Sequence, residues 1–301
     1  MKKLCLRAGI GGILACLSLS VAAQRLALTF DDGLDPAKEP HAAEWYGRIL
    51  LTLEAEKVKA MFFPALVRIG GEAGLPQAAR WGEAGHAIGN HTARHRYFNS
   101  PKMTLADFIA DVETADAAFR KLPGFRPMLR FPFLKEGETA EKRDGFREWM
   151  RTHGYRPAPV SIDASDWYYD EVFRKKAGDP VALAKLREAY VDHLLDRAGY
   201  YDALARKVLA RSPDHVLLLH TSAINAEWLP AVIAAFRQHG WQFVAATTAF
   251  DDPLYREQPD VLPAGESIVW SLAKQAGETG LRYPAEDSVY EKPRLQALGL
   301  E

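Results

Sequence analysis

The chain has 301 residues, of which 48% are hydrophobic and 26% are charged, and its formal net charge is −1. This length and composition are typical of a globular protein with one large domain and an ample core, and single α/β barrels commonly reach this size. The near-neutral charge gives no reason to expect a nucleic acid or an anionic membrane as partner, since both select strongly basic surfaces.

The first 23 residues predict a secretion signal that is removed from the mature protein. A basic start at Lys2 and Lys3 precedes an apolar stretch, and small residues before Gln24 fit a cleavage site. We therefore expect a secreted or periplasmic bacterial protein with no transmembrane span after cleavage. The same stretch loosely resembles a lipobox ending at Cys16, which would give a lipid-anchored protein, but the apolar residues that follow favour simple cleavage.

Strand and helix patterns alternate from residue 25 to about residue 246. The predicted strands are continuous apolar runs, which indicate a parallel sheet covered by helices, and six or seven such units favour a closed or incomplete barrel over an open sheet. The predicted strands are 26–32, 59–63, 87–89, 128–133, 159–162, 216–219 and 241–244, and the predicted helices between them are 40–57, 72–83, 105–121, 142–153 and 226–238.

Two segments interrupt this alternation. Residues 168–212 are long, charged and helical in pattern, and they predict a helical insertion over one rim of the barrel. Residues 251–301 contain several prolines and no strong periodicity, so we expect an irregular C-terminal extension packed on the barrel. The predicted organisation is a signal at 1–23, one domain at 24–250 and the extension at 251–301.

Polar side chains follow five of the predicted strands, at the edge where the carboxyl ends of parallel strands meet. Asp31 and Asp32 end the first strand, and adjacent carboxylates are best tolerated beside a cation, either a metal or an arginine. His91 and His95 are four residues apart, a spacing that lets both face one metal if the segment is helical. Two imidazoles and one carboxylate leave an open position for water, as a catalytic zinc site requires.

The other three strand ends carry Arg130, Asp163 and His220. Each has an ordinary structural explanation: a salt bridge for the arginine, a helix cap for the aspartate, and a satisfied core position for the histidine. Taken alone, two histidines four residues apart are also more often a surface accident than a metal site. Five such features at the same end of successive strands are better explained by one functional site.

Five motifs in this order resemble those of the polysaccharide deacetylases of carbohydrate esterase family 4: TFDDG, HTARH, RFPF, DASDW and LLLH. The resemblance covers about residues 25–246, and TFDDG with the paired histidines is its specific part. It implies a distorted (β/α)7-type barrel that hydrolyses acetyl groups on sugars. The chain departs from the family at Phe133, where tyrosine is common, and in the long interval between Asp163 and His220, so the shape of the groove and the substrate stay open.

The resemblance implies roles for the residues of the first three motifs. Asp32, His91 and His95 would hold a divalent metal, with zinc as the expected ion. Asp31 would be the general base that activates the attacking water. Arg130 would orient Asp31 and hold it ionised.

The later motifs would complete the site. His220 would be the general acid for the leaving amine or alcohol, and Asp163 would pair with it and tune it. The backbone N–H of Phe133 would help to bind the oxyanion. Trp167 would form a wall of the groove, and Leu218 would line the pocket for the acetyl methyl group.

The predicted function is metal-dependent hydrolysis of acetyl groups from an N-acetylated polysaccharide or oligosaccharide, such as peptidoglycan, a chitin-like oligomer or an exopolysaccharide. The nearest alternative is an O-acetyl xylan esterase with the same chemistry. A non-hydrolytic glycan-binding relative is a second alternative, which the complete set of motif residues disfavours. A small-molecule amide hydrolase on the same barrel is a third, which the secretion signal disfavours.

Overall fold

A computed structural model describes residues 23–301 of the protein. Residues 1–22, which contain almost all of the predicted secretion signal and Cys16, lie outside the described part. Among residues 23–301, no helix combines the length and apolar character needed to cross a bilayer.

The centre of the fold is a parallel sheet of buried, largely apolar strands. Strand β1 lies between two other strands of this sheet and is buried along almost its whole length, as its continuous apolar run predicts. The strands are β1 (Arg25–Asp32), β2 (Met61–Pro64), β3 (Ala87–Asn90), β4 (Phe125–Leu129), β5 (Lys135–Gly137), β6 (Arg156–Pro157), β7 (Asp214–His220), β8 (Gln242–Phe243) and β9 (Ala264–Gly265).

Helices connect the strands and cover the sheet, so the predicted α/β alternation is confirmed. Each long helix turns a buried apolar stripe toward the sheet or toward a neighbouring helix. The helices are α1 (Ala42–Ala55), α2 (Leu75–Glu83), α3 (Leu105–Phe119), α4 (Ala140–Thr152), α5 (Asp166–Lys175), α6 (Pro180–Leu209), α7 (Ala223–Gln238), α8 (Ala246–Ala249), α9 (Ile268–Gln275) and α10 (Ser288–Ala297).

The sheet curls into a distorted barrel, as expected. Its order is β6-β4-β3-β2-β1-β7, and β8 pairs with the beginning of β1. Residues 156–162 bring the two edges together, because β6 pairs with β4 while Ile162 forms a single parallel bridge with Leu217 of β7. The strand predicted at 159–162 is therefore reduced to this bridge, and regular pairing occurs slightly earlier in the chain.

The segment predicted as a helical insertion consists of α5 and the 30-residue helix α6. Helix α6 leads into β7 and packs against α7 and α9, so it lies in the outer helical layer. Helix α5 begins beside the carboxyl ends of the strands, which brings its first turns to the rim of the barrel.

The C-terminal extension contains more regular structure than its sequence predicts. It contributes β9, α9 and α10, and β9 pairs antiparallel with β5. The contact at β9 is close: Gly265 has φ +125°, and a Cβ atom there would lie 2.0 Å from the carbonyl oxygen of Leu134. Only glycine fits this position without displacing the backbone.

Candidate active site

Strand register brings the predicted residues to one end of the barrel. Parallel pairing places Asp31 of β1 directly beside His220 of β7. On the other side, the β3–β4 register pairs Asn90 with Leu129, so that His91 and Arg130 leave their strands side by side. The carboxyl ends of parallel strands thus assemble the site, as the barrel prediction requires.

Asp31 is buried against Arg130. Nη1 of Arg130 lies 3.2 Å from both carboxylate oxygens of Asp31, and Arg130 is itself fully buried. Its Nε donates to the carbonyl of Ala158 at 2.5 Å and its Nη2 to the hydroxyl of Thr29 at 3.1 Å, so the guanidinium cannot turn away. Burial raises the pKa of Asp31 to about 6, although the charge of Arg130 acts in the opposite direction. Arg130 therefore fixes the position of the Asp31 carboxylate, but its charge only partly offsets the effect of burial on the pKa of Asp31.

Asp32 faces the two histidines. Its Oδ1 lies 3.1 Å from Nε2 of His95 and 3.7 Å from Nε2 of His91. Donor atoms of the three residues all fall within 4.8 Å of one another. Despite these short distances, Oδ1 of Asp32 is buried without a hydrogen bond of acceptable geometry to any residue in the range 23–301. A shared metal ion would explain an oxygen held in this way, and two imidazoles with one carboxylate match the donor set of zinc.

The protonation of His91 suits a metal ligand. Its Nδ1 lies 2.8 Å from the carbonyl oxygen of Arg130, which can only accept, so Nδ1 carries the proton and Nε2 is left with its lone pair. Burial lowers the pKa values of both His91 and His95, which keeps the rings neutral, the form that binds metals.

The two histidines are not on a helix, so the prediction that a helical segment turns both rings toward one metal was wrong. Residues 91–95 form a tight loop in which Thr92 and His95 have positive φ angles of 68° and 52°. Asp32, Phe133 and Leu134 also adopt positive φ. Such conformations cost non-glycine residues about 1–3 kcal/mol each, and they are typical of functional sites held in place by the surrounding fold.

His220 pairs with Asp166, not with Asp163 as predicted. Nδ1 of His220 lies 2.7 Å from Oδ1 of Asp166, and the backbone N–H of His220 donates to Oδ2 at 2.7 Å. Asn225 donates a further hydrogen bond to Oδ2 at 2.9 Å. Burial alone would lower the pKa of His220, but the carboxylate of Asp166, helped by Asp31 and Asp32, raises it to about 10.

Asp163 lies in the same cleft, three residues before Asp166. Within residues 23–301 its carboxylate accepts a hydrogen bond only from the backbone N–H of Ala164, at 2.9 Å. The sequence offered no means of choosing between the two aspartates of DASDW. The choice depends on Asp166 starting α5, where it is fully buried beside the end of β7.

All ten predicted site residues lie in or at one cleft of about 730 Å³. Leu218 is buried in its wall, and Trp167 and Phe133 are 38% and 52% exposed. The ring of Phe133 packs on His95 with centroids 4.7 Å apart, and Tyr97 packs on Phe133 at 5.6 Å. Exposed aromatic faces of this kind are suited to stacking on sugar rings.

Sequence reasoning missed the contribution of the C-terminal extension to this cleft. Four of its residues line the cleft, and Lys135 of β5 lies beside them. No motif or periodicity marked these positions, because they reach the site only through the β5–β9 pairing. The four residues are Glu266, Pro284, Glu286 and Asp287.

The strand ends of this parallel α/β barrel bring together an acid–arginine pair, a two-histidine cluster and a histidine–aspartate pair. These are the groups that a hydrolase uses. Residues 19–157 match the family model described as polysaccharide deacetylase. This match confirms the resemblance noted in the motifs, over a region that contains the first three of them. None of the curated proteins matches the chain.

Solved structures of carbohydrate esterase family 4 share the fold. A mutant form of the peptidoglycan deacetylase PdaC from Bacillus subtilis is 18% identical with a TM-score of 0.52, covering 76% of this chain and 91% of the PdaC chain. An esterase of this family from Streptococcus mutans is 20% identical with a TM-score of 0.52, covering 74% and 86% of the two chains. The polysaccharide deacetylase Bc1974 from Bacillus cereus is 20% identical with the same score, covering 74% and 91%.

Proposed function

We propose that the protein is a secreted or periplasmic deacetylase that uses a divalent metal to remove acetyl groups from an N-acetylated glycan. One observation carries the proposal: a single cleft holds Asp31 against Arg130, His220 against Asp166, and a buried Asp32 oxygen facing two histidine nitrogens. The secretion signal predicted from the sequence supports the location, and the match to polysaccharide deacetylases supports a glycan as substrate.

Asp32, His91 and His95 would hold the metal, with zinc as the expected ion. When bound, it would supply a Lewis acid that polarises the acetyl carbonyl and acidifies water. Asp31 would accept the proton of the attacking water. Its carboxylate already faces the histidine cluster, because its Oδ2 lies 3.8 Å from Nε2 of His91 and Nη1 of Arg130 contacts the carboxylate as well.

His220 would protonate the leaving group. Its Nδ1–H donates to Asp166, which leaves Nε2 as the nitrogen that can serve the cleft. The raised pKa keeps the ring protonated at neutral pH. An amine leaves poorly without a proton, whereas an alcohol needs less help, so a histidine held in the acid form favours an N-acetyl over an O-acetyl substrate. The backbone N–H of Phe133 and the side chains of Trp167 and Leu218 would contact the acetylated sugar.

Two measurements test this proposal. Acetate release is measured for the zinc-loaded mature protein on chitin oligomers, peptidoglycan and acetylxylan, together with the metal content. We expect acetate from the N-acetylated glycans and about one metal ion per chain. Metal binding without acetate from any of these glycans would contradict the proposal and favour a non-hydrolytic role, since a family 4 pseudoenzyme, BA3943, also has this fold.

The variant H220A tests the acid. It should slow amide substrates far more than an activated ester such as 4-nitrophenyl acetate, whose leaving group needs no proton. H239A is the matched control, because His239 is exposed at the C-terminal end of the 16-residue helix α7, whose other end is capped by Ser222 in the cleft lining. Equal losses on amide and ester substrates would remove His220 from the role of acid.

A further inference from the structure

The C-terminal extension forms one wall of the cleft, and this wall is acidic. Glu266, Glu286 and Asp287 reach the cleft from outside residues 19–157, to which the deacetylase domain match extends. The wall also contains Asp163 from the barrel itself. None of these four carboxylates has a part in the acetyl chemistry described above.

Two of these acids are already satisfied. Glu266 forms an ion pair with Lys135 and accepts the backbone N–H of Ala285 at 3.0 Å. Asp287 caps helix α10 by accepting the backbone N–H of Val289 at 3.0 Å. They need no ligand.

Glu286 and Asp163 are different. The side chain of Glu286 is only 3% exposed, and its Oε1 accepts hydrogen bonds from Arg197 at 3.3 Å and Tyr201 at 3.2 Å. Its Oε2 is buried without a partner among residues 23–301. Arg197 compensates Glu286 only in part, because the same guanidinium also binds Asp196.

The negative charges of Asp163 and Glu286 would repel each other. Burial and the nearby Asp163 raise the pKa of Glu286 to about 8, and burial raises the pKa of Asp163 to about 6. Lys135, whose charge partly offsets the burial of Asp163, is already paired with Glu266. A cationic ligand in the cleft would place positive charge beside these acids and favour their ionised forms.

A metal ion is the wrong cation for this wall. Glu286 does lie near His193 and Glu291, and their donor atoms are within 4.8 Å of one another. However, the backbone N–H of Ser165 donates to Nε2 of His193 at 3.0 Å, so the proton of the neutral ring is on Nδ1. That Nδ1–H donates to Glu291 at 3.0 Å. His193 therefore has no lone pair to offer a metal there.

We propose that Asp163 and Glu286 form a subsite for a sugar that carries a free ammonium group. The inference rests on the proposed function, because it takes the ligand of the cleft to be an amino-sugar glycan. In such a glycan, removal of an acetyl group leaves a primary amine, and carboxylates beside it would favour its protonated form. The preferred substrate is then a partly deacetylated glycan, with an ammonium group near the acetyl group that is next removed.

The test compares two tetrasaccharides of β-1,4-linked glucosamine, one fully N-acetylated and one with a single free amine. We expect a higher kcat/KM for the amine-bearing tetramer, by about tenfold, the usual effect of one charge-assisted hydrogen bond. E286Q keeps the shape of the side chain but cannot become negatively charged, so it should bring the ratio close to one. E278Q is the matched control, because Glu278 lies in the same extension and pairs with Lys207 outside the cleft.

A binding measurement separates this inference from the proposed function. By titration calorimetry, the wild-type protein should bind the fully deacetylated tetramer more tightly than the acetylated one, and E286Q should lose that difference. This readout needs no turnover, so it decides the inference even if no glycan is deacetylated. D163N serves as the second variant if E286Q does not fold. Equal binding of both tetramers by the wild-type protein, as expected if the two acids only share a proton, would overturn the proposal.

Discussion

The pairing of His220 with Asp166 yields the sharpest prediction, because the structure and the motif pattern favour different aspartates. Asp166 is fully buried and accepts three hydrogen bonds, from the ring and backbone of His220 and from Asn225. In D166N one oxygen must serve these donors, and an amino group replaces the other oxygen. The negative charge that keeps His220 protonated is removed without a change in volume.

The magnitude follows from the pKa of His220. Its rise from 6.5 to about 10 corresponds to at most roughly 5 kcal/mol of preference for the protonated ring, of which Asp31 and Asp32 supply a part. Loss of Asp166 should therefore return the pKa of His220 toward 6.5 or below, since burial then acts unopposed. At pH 8 the ring would be mostly neutral, and acetate release from an amide should fall by about 10²–10⁴-fold, the usual contribution of a general acid.

The assay is acetate release from a chitin tetramer between pH 5.5 and 10. For D166N the descending limb of the pH–rate profile should move to lower pH, while 4-nitrophenyl acetate hydrolysis changes little. D163N is the matched comparison and should move the limb much less, because Asp163 makes no hydrogen bond to His220 in the described chain. A larger displacement in D163N than in D166N would refute the pairing and restore Asp163 as the partner.

Three further predictions concern the site and its support. D31N should abolish acetate release but retain the metal, whereas D32N should lose the metal, with metal content measured by plasma emission spectroscopy. The reverse pattern would mean that the roles of the two acids have been exchanged. G265A should lower the free energy of unfolding by about 1–3 kcal/mol in a urea titration, because of the strained φ and the contact with Leu134; an unchanged midpoint would refute that reasoning. Protonated His220 should stabilise the fold below pH 6.5 and lose this contribution as pH rises through about 10, so Tm should fall more steeply there in the wild-type protein than in H220Q.

Most of the barrel was predictable because its elements depend on local patterns. Continuous apolar runs in β1 and β7 allow only fully buried strands, and the helices between them carry apolar residues at helical spacing. Prediction failed where an element depends on its partners. Residues 159–162 have the composition of a strand, but only Ile162 pairs with β7, because the same short segment must also reach β4.

The histidine loop shows the same limit at the site. The spacing of His91 and His95 indicated a shared ligand, but the loop brings them together through positive φ at Thr92 and His95, which no spacing rule describes. Hydrogen bonds from Ala93 and Arg94 to Asp111 of α3 hold this loop. The residue types were visible in the sequence, and the conformation that makes them useful was not.

The sequence by itself determined the chemistry available to this protein. It places acids, histidines and an arginine at the ends of successive parallel strands, and strand direction alone brings those ends together. The tertiary structure decided which groups act as partners. Asp31 faces Arg130 while Asp32 faces the histidines, Asp166 rather than Asp163 reaches His220, and the C-terminal extension supplies an acidic wall to the cleft. These choices depend on side-chain distances between segments far apart in the chain, which local sequence patterns do not specify.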